Sequence, residues 1–383
     1  MNKNFEHQEL LLVEPDFSSR LTDIIIELDN LREKELGGTT HPTYFFELKE
    51  FFQMLESIGS ARIEGNRTTV SDYLESERTE KTGSDNIIQI DNMREAMDFI
   101  DNTIEEGSSI DRFFIQHLHE LVVKILDVSN KGEGDRTPGQ YRTIQNKITK
   151  SSHITPDPVH VLDYMEELLN FINTVDPPKY DLIKIATTHH RFAWIHPFNN
   201  GNGRVVRLLT YAQLIKHGFN VKFGRIINPS AVFYSDRDKY YEMLSFADSG
   251  KESSILIWIE YVLEGLLEEI HKIDKLTDHS YLEKNILLPI TKKLSDLNVI
   301  NDLESKIIKK CFKHQLIRSG DLSEFLPGSN HIKRNRVLRK LVGKGLIKRE
   351  NEKSRNYMIS FSNYFFRRSL IDLLIENGFI FEL

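Results

Sequence analysis

Apolar residues recur at three- and four-residue steps through six separate stretches, 43–58, 93–104, 111–126, 161–175, 180–195 and 205–218. That spacing lays one apolar stripe along a helix of 3.6 residues per turn and leaves the opposite face polar. A chain patterned this way must bury its stripes against one another, so a mainly α fold of packed helices is predicted. Gly218 closes the last stretch where a C-cap glycine belongs. Strand signals are few. The best is QYRTIQNKI (140–148), β-branched and alternating, opened by Pro138-Gly139 and followed by Lys150-Ser151-Ser152. It predicts a short β-hairpin or extended flap on an otherwise helical body.

Composition narrows the class. The 383 residues suffice for two or three domains with real cores, and 20 Gly with 11 Pro exclude collagen-like and disordered chains. A net charge of −7 argues against a surface that coats nucleic acid or membrane as a whole. One cysteine, Cys311, excludes an internal disulfide framework and a cysteine-only zinc site, and points to a reducing compartment. The segment MNKNFEHQELLLVEPDF lacks the apolar run of a signal peptide, and no stretch approaches 18 apolar residues. A soluble, cytoplasmic protein with no membrane partner is expected.

Basic character is local. Between His331 and Arg349 lie Lys333, Arg334, Arg336, Arg339, Lys340, Lys344, Lys348 and Arg349, with no acidic residue among them. Residues 303–316 and 321–326 read as two helices joined at Ser319-Gly320, and GLIKRE and RNYMIS read as two short strands. Helix, turn, basic helix and two-stranded wing suggest a winged helix-turn-helix at the C-terminus. In it Lys333, Arg334, Arg336 and Arg339 would face a DNA groove or backbone; the plainer reading is a solvated face on a protein-docking module.

The most informative dozen residues run from His196 to Arg207, HPFNNGNGRVVR. They form a loop that feeds a helix N-terminus. Gly201 and Gly203 let backbone amides converge, and the following helix adds its positive end, a combination that binds phosphate. Arg204 and Arg207, three apart, share one face of the first turn, where two cations oppose the helix dipole unless an anion meets them. His196 is the group able to accept a proton near neutral pH. Taken singly, a Gly-Asn-Gly turn and a histidine are most often structural. The full ordered string is the stronger signal.

That string resembles the Fic-domain signature, HPFx(D/E)GNGRxxR. His196, Pro197, Phe198, Gly201, Asn202, Gly203, Arg204 and Arg207 fit it; the acidic position, here Asn200, does not. HHRFAWI (189–195) resembles the helix that precedes the signature, 137–148 with 154–161 resembles the family's flap, and SDRDKYYEML (235–244) resembles its adenine-side segment. The resemblance implies a Fic-type helical bundle that transfers AMP from ATP to a Ser, Thr or Tyr hydroxyl of a protein, itself included. It implies His196 as general base and Gly201, Asn202, Gly203, Arg204, Val205, Val206 and Arg207 around the phosphates. Phe198 would be an apolar anchor, Tyr240 and Tyr241 would lie near the adenine, and a target protein would be pinned along the flap. It also implies Mg²⁺, for which Asn200 brings an amide where the family has a carboxylate. Weakened metal use or an altered activity both follow from that departure.

Upstream, Ser60-Ala61-Arg62-Ile63-Glu64-Gly65 resembles the [S/T]xxxE[G/N] inhibitory motif that some Fic proteins carry. Ser60, Glu64 and Gly65 would then form a brake, with Glu64 paired in two-pronged fashion to Arg207; without the signature, Glu64 reads as an exposed helix-end acid. The expected organisation is a helical regulatory region (1–105), a Fic catalytic domain (106–280) and a winged-helix-like domain (281–383). A competing class stays open: a nucleotide-sensing DNA-binding regulator whose Fic domain is inactive or weakened. Homodimerisation and DNA as partners stay open with it.

Overall fold

The computed structural model describes residues 7–33, 39–79, 83–129, 132–148, 153–219 and 229–380. In chain order its helices are α1 (Arg20–Glu33), α2 (Pro42–Ile63), α3 (Val70–Thr79), α4 (Asp85–Thr103), α5 (Arg112–Val123), α6 (Val161–Asn173), α7 (Asp181–Ile195) and α8 (Asn202–Lys216). There follow α9 (Pro229–Tyr234), α10 (Arg237–Ala247), α11 (Glu252–Asp274), α12 (His279–Leu282), α13 (Leu288–Asp296) and α14 (Asp302–His314). The chain then runs through β1 (Ile317–Arg318), α15 (His331–Gly343), β2 (Ile347–Arg349), β3 (Asn356–Ile359) and α16 (Tyr364–Glu376). All six stretches of helical periodicity are helical. Among the described residues no helix is long and apolar enough to cross a membrane.

Two compact units emerge, and both are discontinuous in sequence. One comprises residues 1–35, 53–68 and 82–271; the other comprises 36–52, 69–81 and 272–383. Of helix α2, residues 42–52 therefore belong to the second of these units and residues 53–63 to the first.

The first unit is built around α7, which is buried along nearly its whole length and packs against α6 and α8. Ile183, Ala186, Phe192 and Ile195 of α7 meet Val205, Leu208, Leu209 and Ala212 of α8 in one core with Ile115, Leu118 and Val122 of α5. Each valine, leucine, isoleucine or phenylalanine among these contributes roughly 1.5–3 kcal/mol when taken out of water. Local capping agrees with the packing. Asp111 accepts from the Phe114 amide at 2.8 Å to start α5, and Asp236 accepts from the Lys239 amide at 2.9 Å to start α10. Gly218, at φ 81°, ends α8.

The expected flap is not a β ladder. Residues 140–148 form no strand, and residues 149–152, where a hairpin turn would fall, lie outside the described residues. Side chains and a neighbouring loop supply partners to this segment instead of a second strand. The Arg142 amide donates to Pro197 O at 2.8 Å, and Gln145 Nε2 donates to Thr155 O at 3.0 Å.

In the second unit, β1, β3 and β2 form an antiparallel sheet in that spatial order, with Ile317 opposite Tyr357 and Ile347 opposite Ile359. Where 321–326 read as a helix after a turn at Ser319-Gly320, the structure has a 3₁₀ segment over 319–324. An Asn301–Glu304 capping box opens α14, and Asn330 caps α15 through the Lys333 amide at 2.9 Å. Glu304 is buried and takes ion pairs from Lys340 at 3.0 Å and Lys344 at 2.8 Å, which fixes α15 against α14. Tyr44 of α2 donates to Cys311 O at 3.0 Å beneath the sheet.

Candidate active site

The signature loop joins α7 to α8. Helix α7 stops because His196 turns left-handed, at φ 52° and ψ 60°, and Pro197 cannot continue the helical bonding. Phe198 is fully buried and stacks on His119 of α5, ring centroids 3.8 Å apart and planes 1° apart. Asn202 closes the loop on itself: its Oδ1 accepts from the Phe198 amide at 2.9 Å and its Nδ2 donates to Phe198 O at 2.8 Å. Gly201, at φ 74°, makes the left-handed step into α8.

At the head of α8 the amides of Asn202, Gly203 and Arg204 have no acceptor within the helix, whereas the Val205 amide is spent on Gly201 O at 3.0 Å. The side chains of Val205 and Val206 are core, so these two residues offer a ligand no side-chain contact. A Cβ on Gly203 would collide with Glu64 Oε1. Glycine there lets the carboxylate reach the positive end of the helix.

Both arginines are buried and both are engaged by a carboxylate. Arg207 donates through Nε to Ser60 Oγ at 2.8 Å, and through Nη2 to Ser60 O at 3.0 Å and Glu64 Oε1 at 2.7 Å. The contact with Glu64 is thus a single charge-assisted bond from Nη2 rather than the expected two-pronged pair, while Ser60 holds the Nε and Nη2 edge. Arg207 Nη1 and Arg204 Nε are buried without a hydrogen-bond partner among the described residues. Arg204 donates through Nη2 to Glu133 O and to Glu133 Oε2, each at 3.0 Å. Burial pushes the Glu64 carboxyl up, but Arg207, with Arg204 and Arg237 behind it, outweighs that and holds it below the ordinary range. Gly65, at φ 101°, turns the chain away immediately after Glu64.

The imidazole of His196 has a defined tautomer. Its Nδ1 lies 3.3 Å from Ala193 O, an acceptor only, so Nδ1 carries the proton and Nε2 keeps its lone pair. Burial, opposed by the Ala193 hydrogen bond and reinforced by the Arg142 cation, pushes its pKa down to about 4. Neutral imidazole with an available Nε2 is the form a general base requires.

The remaining sequence candidates fall around this centre. Tyr240 is buried, and its hydroxyl meets His189 Nε2 at 2.9 Å; Tyr241 donates to Ile63 O at 3.3 Å, one residue before Glu64. Asn200 does not fit a divalent cation. Its Nδ2 donates to Gly132 O at 3.1 Å and Gly134 O at 3.4 Å, and its Oδ1 accepts from the Gly201 amide at 2.9 Å. Among the described residues no group of three or more His, Cys, Asp or Glu side chains could hold a metal. The amide is a loop brace, and no chemical step is assigned to a metal at that position.

Three residues absent from the sequence reading complete the site. His119 accepts from the Gly139 amide through Nδ1 at 2.9 Å, so its Nε2 donates to Asn200 O at 3.2 Å, with Asp135 Oδ2 3.6 Å away. Arg142 and Glu133 are the other two. A histidine on the apolar face of α5 was a visible signal for the first; nothing in local pattern marked the others.

Residues 109–214 match the model of the Fic/DOC family, so the chain carries a Fic domain there. Protein adenylyltransferase Fic of Nematostella vectensis is 29% identical over 157 residues, covering 41% of this chain and 33% of that protein. Its counterpart in Drosophila melanogaster is 28% identical over 149 residues, 37% and 27% of the two chains. The chain thus spans about a third or less of the length of these curated relatives. Among solved structures, a Fic family protein from Desulfovibrio desulfuricans G20 aligns with TM-score 0.55 at 17% identity, covering 92% of this chain and 98% of that one. Fic-1 from C. elegans aligns with TM-score 0.51 at 20% identity over 66% and 71%. These likenesses establish a mainly helical Fic fold.

Proposed function

We propose that this chain is a protein adenylyltransferase that moves AMP from ATP to a protein hydroxyl and is restrained by Glu64. One observation carries the reading: a neutral histidine with Nε2 available stands at the start of a loop that ends in open helix amides and two buried arginines. His196 Nε2 takes the proton of a Ser, Thr or Tyr hydroxyl. The freed oxygen attacks the α-phosphorus, the bond from that phosphorus to the bridging oxygen breaks, and pyrophosphate leaves with the electron pair. The amides of Asn202, Gly203 and Arg204 and the guanidinium groups of Arg204 and Arg207 meet the negative charge. The flap segment presents the target chain by backbone pairing.

Glu64 competes with the nucleotide for Arg207. A charge-assisted hydrogen bond is worth roughly 1.5–3 kcal/mol, which corresponds to a brake of about 10- to 150-fold. Ser60 holds the same guanidinium and sets its orientation in the braked state. The test is pyrophosphate release from ATP by wild type and Glu64→Gly. A gain within that range supports the reading, and equal rates overturn the brake.

A second reading has its own supporting observation. Lys333, Arg336 and Arg339 on α15 are exposed and make no ion pair among the described residues, whereas Arg334 is half-buried and donates to Ser329 O at 3.0 Å. With α15 as a recognition helix and β2–β3 as a wing, the C-terminal module would bind DNA backbone in a nucleotide-sensing regulator. Affinity for duplex DNA falling steeply with salt, and weakened by Lys333→Ala with Arg336→Ala, supports it; salt-independent or absent binding removes it.

A further inference from the structure

Arg142 is 2% exposed, yet no carboxylate pairs with it among the described residues. A buried guanidinium is costly unless its donors are satisfied, and here main-chain carbonyls satisfy them. Nε donates to His196 O at 2.9 Å, Nη2 to Pro156 O at 2.7 Å and to Ile195 O at 3.3 Å, and Nη1 to Ile144 O at 3.2 Å. Its own backbone amide donates to Pro197 O at 2.8 Å. One residue therefore holds three consecutive carbonyls, those of 195, 196 and 197. They lie at the C-terminal end of α7, where orphan carbonyls and the negative end of the helix dipole favour a cation.

The turn being held is strained. A left-handed conformation at a non-glycine residue persists only where the surroundings over-determine it, and His196 sits at φ 52° and ψ 60°. Asn146 assists from the same segment, with Nδ2 3.4 Å from His196 O and 3.1 Å from Phe198 O.

We propose that Arg142 is the positioning residue for His196, fixing the peptide carbonyls around the base so that Nε2 is aimed at the reacting hydroxyl. The inference rests on the adenylyl-transfer reading for its kinetic consequence, but not for its effect on the imidazole. Three charged or titratable groups act on that imidazole from the elements packed around it. Arg142 and His153 disfavour its protonation, and Glu64 favours it. Burial does most to keep the base neutral, and the Arg142 cation that holds its carbonyls adds to it.

The experiment uses the full chain with Glu64→Gly as parent, and compares Arg142→Lys and Arg142→Met. The first readout is the single-turnover rate of self-adenylylation at saturating ATP, with the ATP concentration giving half that rate. The second is the ¹⁵N-histidine NMR titration of His196, its resonances assigned by their loss in His196→Ala. Lysine keeps the charge but cannot fork to four carbonyls. Its rate should fall at least about tenfold, as small misplacements of reacting groups do, with half-saturating ATP within about twofold and the His196 midpoint still depressed. Methionine should also raise that midpoint, part of the way only, because burial still depresses it. A lysine variant with the parental rate, or a folded methionine variant with an unmoved His196 midpoint, overturns the proposal. Folded variants that lose thermal stability but keep rate and midpoint overturn it too, since that is a purely structural role. If Arg142→Met does not fold, Arg142→Lys decides alone. Should the parent transfer no AMP, the adenylyl-transfer reading fails while the NMR titration still decides the role of Arg142.

Discussion

Glu133→Ala separates the two arginines of the site. The substitution removes the 3.0 Å contact from Arg204 Nη2 to Glu133 Oε2 and leaves the 3.0 Å contact to the Glu133 carbonyl in place. Arg204 is 1% exposed and the Glu133 side chain 34% exposed. A fully sheltered charge-assisted bond is worth roughly 1.5–3 kcal/mol; with one partner a third open to water, screening lowers this to about 0.5–1.5 kcal/mol. The electrostatics agree with the smaller figure. Burial pushes the Glu133 carboxyl above its ordinary value, and Arg204 does not fully offset it. A ligand phosphate that must displace the carboxylate gains that same free energy when it is gone, so ATP should bind about 2- to 12-fold more tightly. Isothermal titration calorimetry on wild type and Glu133→Ala measures this directly. Unchanged or weaker binding would refute the reasoning, because Glu133 would then be holding Arg204 in the orientation that phosphate needs.

Three further predictions follow from other parts of the site. With His196 depressed to about 4, self-adenylylation by Glu64→Gly should stay flat from pH 8 to about 5 and fall below that as Nε2 protonates; a break near 6.5 would contradict the geometry. Stability carries the same sign. His119, His153, His189 and His196 are all depressed, chiefly by burial, so their contribution is complete above about 6.5 and is lost as pH falls toward 4. Glu56, raised to about 7 by burial, opposes them by at most one proton. Urea unfolding at pH 7 and pH 5 checks the balance, and equal stabilities would contradict it. Asn200→Asp should destabilise the fold by about 1–3 kcal/mol, because a carboxylate would face the Gly132 and Gly134 carbonyls that the amide now bonds. A shift of the urea midpoint measures it. Unchanged stability with a lowered Mg²⁺ requirement would instead restore position 200 as a cation ligand.

Much of the helical framework was legible because periodicity is a local property. The stripes of α5, α6, α7 and α8 can be counted along the chain, and the signature loop is contiguous, so its residues could be named together. What sequence did not reveal is carried by long-range contacts. Phe198 reads as an anchor, but only the fold brings His119, 79 positions upstream, into stacking contact with it. Arg142 looked like one polar residue of an alternating strand. Its guanidinium instead satisfies carbonyls at the end of α7 and the start of the signature loop, and the segment forms no ladder. Glu133 sat in a charged stretch with no pattern of its own, yet folding sets it on Arg204. The contact from Glu64 to Arg207 could be guessed from two short motifs, but not its single-pronged form, nor the hold that Ser60, one helical turn earlier, has on the same guanidinium. The division of α2 between the two compact units was equally hidden, since nothing in its sequence marks the boundary.

The central claim is that His196 drives transfer of AMP once Glu64 no longer occupies Arg207. Intact-protein mass spectrometry of wild type, Glu64→Gly and Glu64→Gly with His196→Ala, each incubated with ATP, tests it most directly. The account predicts a gain of one or more AMP units in Glu64→Gly, little in wild type and none in the double variant. AMP on the double variant at the Glu64→Gly level, or none on Glu64→Gly, would contradict it.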